Sequence, residues 1–173
     1  MPSASLEDLR IDEATWNGGS PERKHEWRLA IHEIVEEGSF EIEPPAPGPL
    51  IPGPFHALVG IKPGRVVLDV RTTDGQTVAE HSLPLDRLEP LMNEYIATIV
   101  EMSKLGVSSN SPRLEALDIA KRLTHDEAGE LIVTLLSTLR PDHSTARRLF
   151  TLLVTIFHDT TRLTAAMPHP AKY

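Results

Sequence analysis

Between Phe55 and Leu83 three strand-like runs, FHALVGI, RVVLDVR and TVAEHSL, are separated only by Lys62-Pro63-Gly64 and by a turn containing Asp74-Gly75. Both connections are hairpin signals, because proline fixes φ and glycine supplies the positive φ of tight turns. Strands joined this closely pair antiparallel, since a parallel partner needs a crossover of about a dozen residues or more. The spacing predicts a three-stranded meander. Val66, Leu68 and Val70 share one face of its middle strand, with Asp69 and Arg71 on the other.

Such a sheet has an apolar face to cover, and the rest of the chain reads as its cover. Ser20-Pro21 is an N-cap followed by proline at the first helical position. Trp27, Ala30, Ile31, Ile34 and Val35 then recur at helical spacing, and Gly38 is a natural stop, which predicts a helix from about Pro21 to Glu37. Asp86-x-x-Glu89 has the form of a capping box opening a helix with Leu88, Leu91, Met92, Tyr95, Ile96 and Ile99 inward, ended by Gly106 before a loop at SSNS. Ser111-Pro112 starts another helix. The last follows Pro141-Asp142 and carries LFTLLVTIF, apolar nearly all round, as in a centrally buried helix. Strands and helices fall in separate blocks, so the expected class is α+β. The expected architecture is an antiparallel meander of three to five strands against about five helices, with Leu6–Ile11 and Phe40–Ile42 as the additional strands.

The stretch LDIAKRLTHDEAGELI, Leu117 to Ile132, raises a problem of phase. Ala128, Leu131, Ile132, Leu135, Leu136 and Leu139 form one stripe. Extended backwards at 100° per residue, that stripe takes in Asp118, Lys121 and His125 and turns Ile119 and Leu123 away. A break restores an apolar interior: Thr124-x-x-Glu127 is a capping box, flanked by Leu123 and Ala128 as a small hydrophobic staple. The expectation is two helices meeting at Thr124, with Arg122 at the end of one and His125 at the start of the next.

The chain has 173 residues, 40% hydrophobic, which suits a single globular domain, placed at residues 5–158. Within it PPAPGPLIPGP, Pro44 to Pro54, is too proline-rich for regular hydrogen bonding and reads as an exposed loop. Residues 159–173 read as a flexible tail. Cysteine is absent, which excludes disulfides, thiolate zinc sites and cysteine nucleophiles. The first residues lack the basic and apolar regions of a signal peptide, and no apolar run approaches the roughly 18–20 residues of a membrane span. The expected location is the cytoplasm. A formal net charge of −8 repels nucleic acid at long range, and the net-acidic polar face of the first long helix is unsuited to a membrane surface.

Eight histidines require metal binding to be weighed. His25 and His32 lie about 10 Å apart along one helix, too far for one ion, and no zinc-protease spacing exists. A set of His25, His125 and Glu127 would need the helices to meet. There is no nucleophile elbow and no glycine-rich phosphate loop. No catalytic residue, metal ligand or cofactor is assigned.

HEWRLAIHEIVEEGSF, VVLDVRTTDGQ, LDIAKRLTHDEAGELI and STARRLFTLL, in this order, resemble the blocks of a small uncharacterised alphaproteobacterial protein family of unassigned function. The resemblance runs from about Ile11 to Phe157. It implies a bacterial, cytosolic, single-domain protein and supplies no activity. It singles out His25, Glu26 and Arg28 as a His-Glu-x-Arg run, and Arg122, His125 and Glu127 as an Arg-x-x-His-x-Glu run. The Pro44–Pro54 loop and the tail look longer than the family pattern. The six residues are therefore the candidate binding site, expected to meet as one recognition patch. The first reading is a non-enzymatic regulator or adaptor that binds another protein, with homo-oligomerisation left open. The alternative is a small metal- or metabolite-binding enzyme. Convergence of His25, Arg28, Arg122 and His125 on one pocket would favour the enzyme, and a contiguous exposed apolar patch the adaptor.

Overall fold

The computed structural model describes residues 6–44, 46–105 and 111–163. In chain order its elements are β1 (Leu6–Ile11), α1 (Glu13–Asn17), α2 (Pro21–Glu37), β2 (Phe55–Lys62), β3 (Arg65–Thr72), β4 (Thr77–Pro84), α3 (Leu85–Leu105), α4 (Pro112–Leu135) and α5 (His143–Phe157). Four strands and five helices make an α+β fold.

The meander forms as the turns dictate. β2, β3 and β4 pair antiparallel in sequence order, with Gly64 and Gly75 at positive φ in the two turns. Val66, Leu68 and Val70 are buried on the helix-covered face. β1 corrects the expectation of a purely antiparallel sheet: it pairs parallel to β2, and the strand order is β1-β2-β3-β4. α1 and α2 form the crossover that a parallel pair requires. β1 is thus an edge strand. Phe40–Ile42 does not join the sheet. Phe40 and Ile42 are buried, but the Glu41 and Glu43 amides donate to the carbonyls of Leu139 and Thr138 in the turn after α4.

The helix caps largely follow the local chemistry. Ser20, Ser111 and Asp142 each accept a backbone amide at the start of α2, α4 and α5. α1 was not expected, and Asp12 caps it by accepting from Thr15 N. Asp86 is not a cap, because α3 starts at Leu85 directly off β4. The expected end at Gly106 and the SSNS loop lie outside the described residues.

The expected break at Thr124 is absent: α4 runs unbroken from Pro112 to Leu135. Five helices are present, but α1 and a single α4 replace the two halves expected on either side of Thr124. The backward-extended stripe describes α4 better than the capping box does. Lys121 and His125 are 6% and 5% exposed, whereas Ile119 and Leu123 are 52% and 64% exposed. Glu127 and Asp126 therefore sit in mid-helix, where their side chains do not cap anything.

The core lies between the inner face of the sheet and the helices. α5 runs through the middle of the helical layer, with Leu149, Phe150 and Leu152–Ile156 buried, and packs against both α2 and α4. No helix among the described residues is long and apolar enough to cross a membrane.

Candidate functional site

Where α4 crosses α5, a polar cluster is enclosed by the core. Gly129 allows the close approach, since a Cβ there would lie 2.9 Å from Arg147 Cγ and from His143 Cε1. The His125 ring sits against Tyr95 and Phe150, with centroids 5.5 and 5.8 Å away. Arg147 Nη2 lies 3.2 Å from His125 Nδ1, and the Arg147 carbonyl 2.9 Å from Nε2. A guanidinium only donates, so Nδ1 is the acceptor and the proton sits on Nε2. Thr151 Oγ1 is 3.0 Å from the same Nε2. Burial, opposed by the Arg147 carbonyl and reinforced by the charge of Arg147, pushes the imidazole down to about pKa 4. His125 is a neutral interior residue at ordinary pH. Asp126 closes the outer side of the cluster, 3.3 Å from Arg147 Nε and 3.4 Å from His143 Nε2.

The six residues expected to form one patch are dispersed. His25 and Arg28 are exposed on α2, and the Arg28 guanidinium lies 5.1 Å from the Trp16 ring centroid, a cation–π contact. Glu26 accepts the Thr160 hydroxyl at 2.7 Å. Arg122 is exposed and pairs with Asp118 at 2.7 Å, Glu127 is exposed, and His125 is buried. α5 separates the two groups. Arg23 and Trp27 of α2 donate to the carbonyl of Thr155, and Arg23 also to that of Ile156, while His125 meets α5 at Arg147 and Thr151. Thr155 is eight residues beyond Arg147, about 12 Å along the helix. Among the described residues, no three His, Asp or Glu side chains come together to hold a metal ion.

A concave feature lies elsewhere, beside β1. A groove of about 830 Å³ runs from Glu7 to Glu13 and is walled by Trp16 and by Arg28, Ile31, His32 and Val35 of α2, with Leu58 behind. Asp12 N donates to Val59 O, so in a parallel ladder Arg10 and Asp12 face β2, while the amides and carbonyls of Leu9 and Ile11 face outward. Leu9 and Ile11 are buried and line the floor of the groove. Asp12 anchors its end, accepting from Ile61 N at 2.7 Å and Thr15 N at 2.8 Å. Partial burial pushes its carboxyl up, but these amide hydrogen bonds outweigh that and hold it below the usual range. Of the expected site residues only Arg28 lines this groove. The sequence did contain two pointers to it: Asp12 just before EATW reads as an N-cap, and Ile31 and Val35 stand at the edge of the α2 apolar stripe.

The profile of an uncharacterised protein family, UPF0262, matches residues 3–159. The UPF0262 protein of Methylobacterium radiotolerans is 33% identical over 150 residues, 86% of this chain and 89% of that protein. The one from Bradyrhizobium sp. is 32% identical over 151 residues, 87% of each. The one from Cereibacter sphaeroides is 33% identical over 147 residues, 84% of this chain and 92% of that protein. No solved structure matches. With its profile spanning nearly the whole described fold, and full-length alphaproteobacterial relatives beside it, the chain belongs to the uncharacterised family UPF0262.

Proposed function

We propose that this protein is a non-enzymatic adaptor or regulator of the bacterial cytoplasm that binds another protein by strand addition in the groove beside β1. The observation that carries this reading is that β1 is a terminal strand of the sheet, without a strand partner on its outer side among the described residues, and lines that groove. An edge strand presents a row of main-chain donors and acceptors that templates a further strand. A helix flanking such an edge forms a trench in which an extended peptide gains main-chain hydrogen bonds and seats alternate side chains. Here Trp16, Ile31 and Val35 offer apolar contact, and Arg28 and His32 stand at the rim. Glu7 and Asp8 of β1 and Glu13 at the start of α1 favour a partner segment with apolar residues at alternate positions and basic flanks. The dispersal of His25, Arg28, Arg122 and His125 supports this reading over a polar enzyme pocket.

The test is a photo-crosslinking amino acid at His32, expressed in the native bacterium, with Glu94 on α3 as the control position. A discrete adduct at His32 that disappears with Ile31→Asp and Val35→Asp is expected. Adducts of equal yield at both positions, or none at His32, would reject the groove as the binding surface.

A further inference from the structure

In its N-terminal half α4 is amphipathic the wrong way round. Its inward face carries Lys121, Thr124 and His125, while Ala116, Ile119, Ala120 and Leu123 form a stripe at i, i+3, i+4 and i+7 on the outward face. Among the described residues, none covers Ile119 or Leu123 of this stripe. Ile119 and Leu123 are among the few large hydrophobic side chains left exposed on the described surface. We propose that this outward face of α4 is a dimer interface, and that its occupant is the same face of a second copy, running antiparallel.

The stripe is its own complement. With the two-fold axis level with the midpoint between Ile119 and Ala120, Leu123 of one copy faces Ala116 of the other, and Ile119 faces Ala120. Each large side chain meets a small one, which lets two helices approach closely and interdigitate. The charges follow the same symmetry to within one residue, about 1.5 Å along the helix. Arg113 is seven residues before Ala120 and Glu127 is seven after it, both on or beside the stripe and both exposed. In the antiparallel pair Glu127 of each copy meets Arg113 of the other, once at each end. Neither has an ion-pair partner among the described residues. A stripe that docked a different protein would have no need of this internal symmetry. The surface is separate from the groove beside β1, so each copy would still present its groove.

One pair of helices buries little, about 1,200 Å² or less, which places the dimer in the weak, roughly micromolar range. Sedimentation equilibrium of the full chain over a concentration series measures it. The wild type should pass from monomer to dimer, and Leu123→Glu should weaken association at least about tenfold. Arg113→Glu and Glu127→Arg should each weaken it, and the double exchange Arg113→Glu with Glu127→Arg should restore it. All three positions are solvent-facing, so melting curves should barely move. The cysteine-free chain adds a second readout: Ala120→Cys should oxidise to a covalent dimer, whereas Glu89→Cys on α3 should not. A monomer at all concentrations with no Ala120→Cys disulfide would overturn the proposal. So would a dimer indifferent to Leu123→Glu and to the charge exchange, or a stripe occupied only by a different protein.

Discussion

Lowering the pH from 7.5 to 5.0 should destabilise this protein through His125, and the size of the effect follows from its burial. In the unfolded chain the imidazole takes up a proton near its ordinary value of 6.5; in the fold it does so only near 4. Between these values the unfolded state holds more protons, so stability is fully present above about pH 6.5 and is lost as pH falls towards 4. At pH 5 the two values give a factor of about 30 in the unfolding constant, or about 2 kcal/mol, rising to about 3 kcal/mol below pH 4. That is a large part of a typical domain's margin. His125→Gln keeps a donor for the Arg147 carbonyl and an acceptor for its guanidinium but cannot titrate. Urea melts of both proteins at the two pH values isolate the effect, because the remaining groups, including the partly buried His81 and His158, cancel in the difference. The wild type should lose about 2 kcal/mol more than the variant. Equal losses, or a directly titrated His125 near 6.5, would refute the buried neutral imidazole.

Three further outcomes test the packing. Leu123→Ala should change stability by less than about 0.5 kcal/mol and Ile132→Ala should cost about 2–5 kcal/mol, a contrast that chemical unfolding would read as the signature of an unbroken α4. Gly129→Ala should destabilise by about 1–3 kcal/mol although alanine favours a helix, because its Cβ meets Arg147 and His143. Removing residues 46–50, or the chain after Leu163, should leave a cooperative melt. A cut made before Thr160 should lower the melting temperature, because Thr160 is buried and bound to Glu26.

The parts legible in the sequence were those set by neighbours along the chain. The two turns specified the meander, and Ser20-Pro21 and Gly38 bounded α2 correctly. The break at Thr124 failed because it assumed that an inward face must be apolar. A buried polar face is stable once its groups find partners, and Asp118, Arg147 and Thr151 supply those for Lys121 and His125. Two of the three partners come from α5, beyond any local pattern. The expected patch dispersed for a related reason. His25, Glu26 and Arg28 sit on α2 and Arg122, His125 and Glu127 on α4, and no short-range signal told that α5 would separate them. β1 was recognisable as a strand, but its parallel pairing spans some fifty residues, so neither its partner nor its open edge could be read. The groove exists only once that pairing is made.

Residue-resolved amide hydrogen exchange in β1, in the free protein and with the partner captured at His32, tests the open-edge account most directly. The amides of Arg10 and Asp12 should be protected throughout, while those of Leu9 and Ile11 exchange quickly in the free protein and become protected when the partner binds. Protection of Leu9 and Ile11 already in the free chain, or no change on binding, would contradict it.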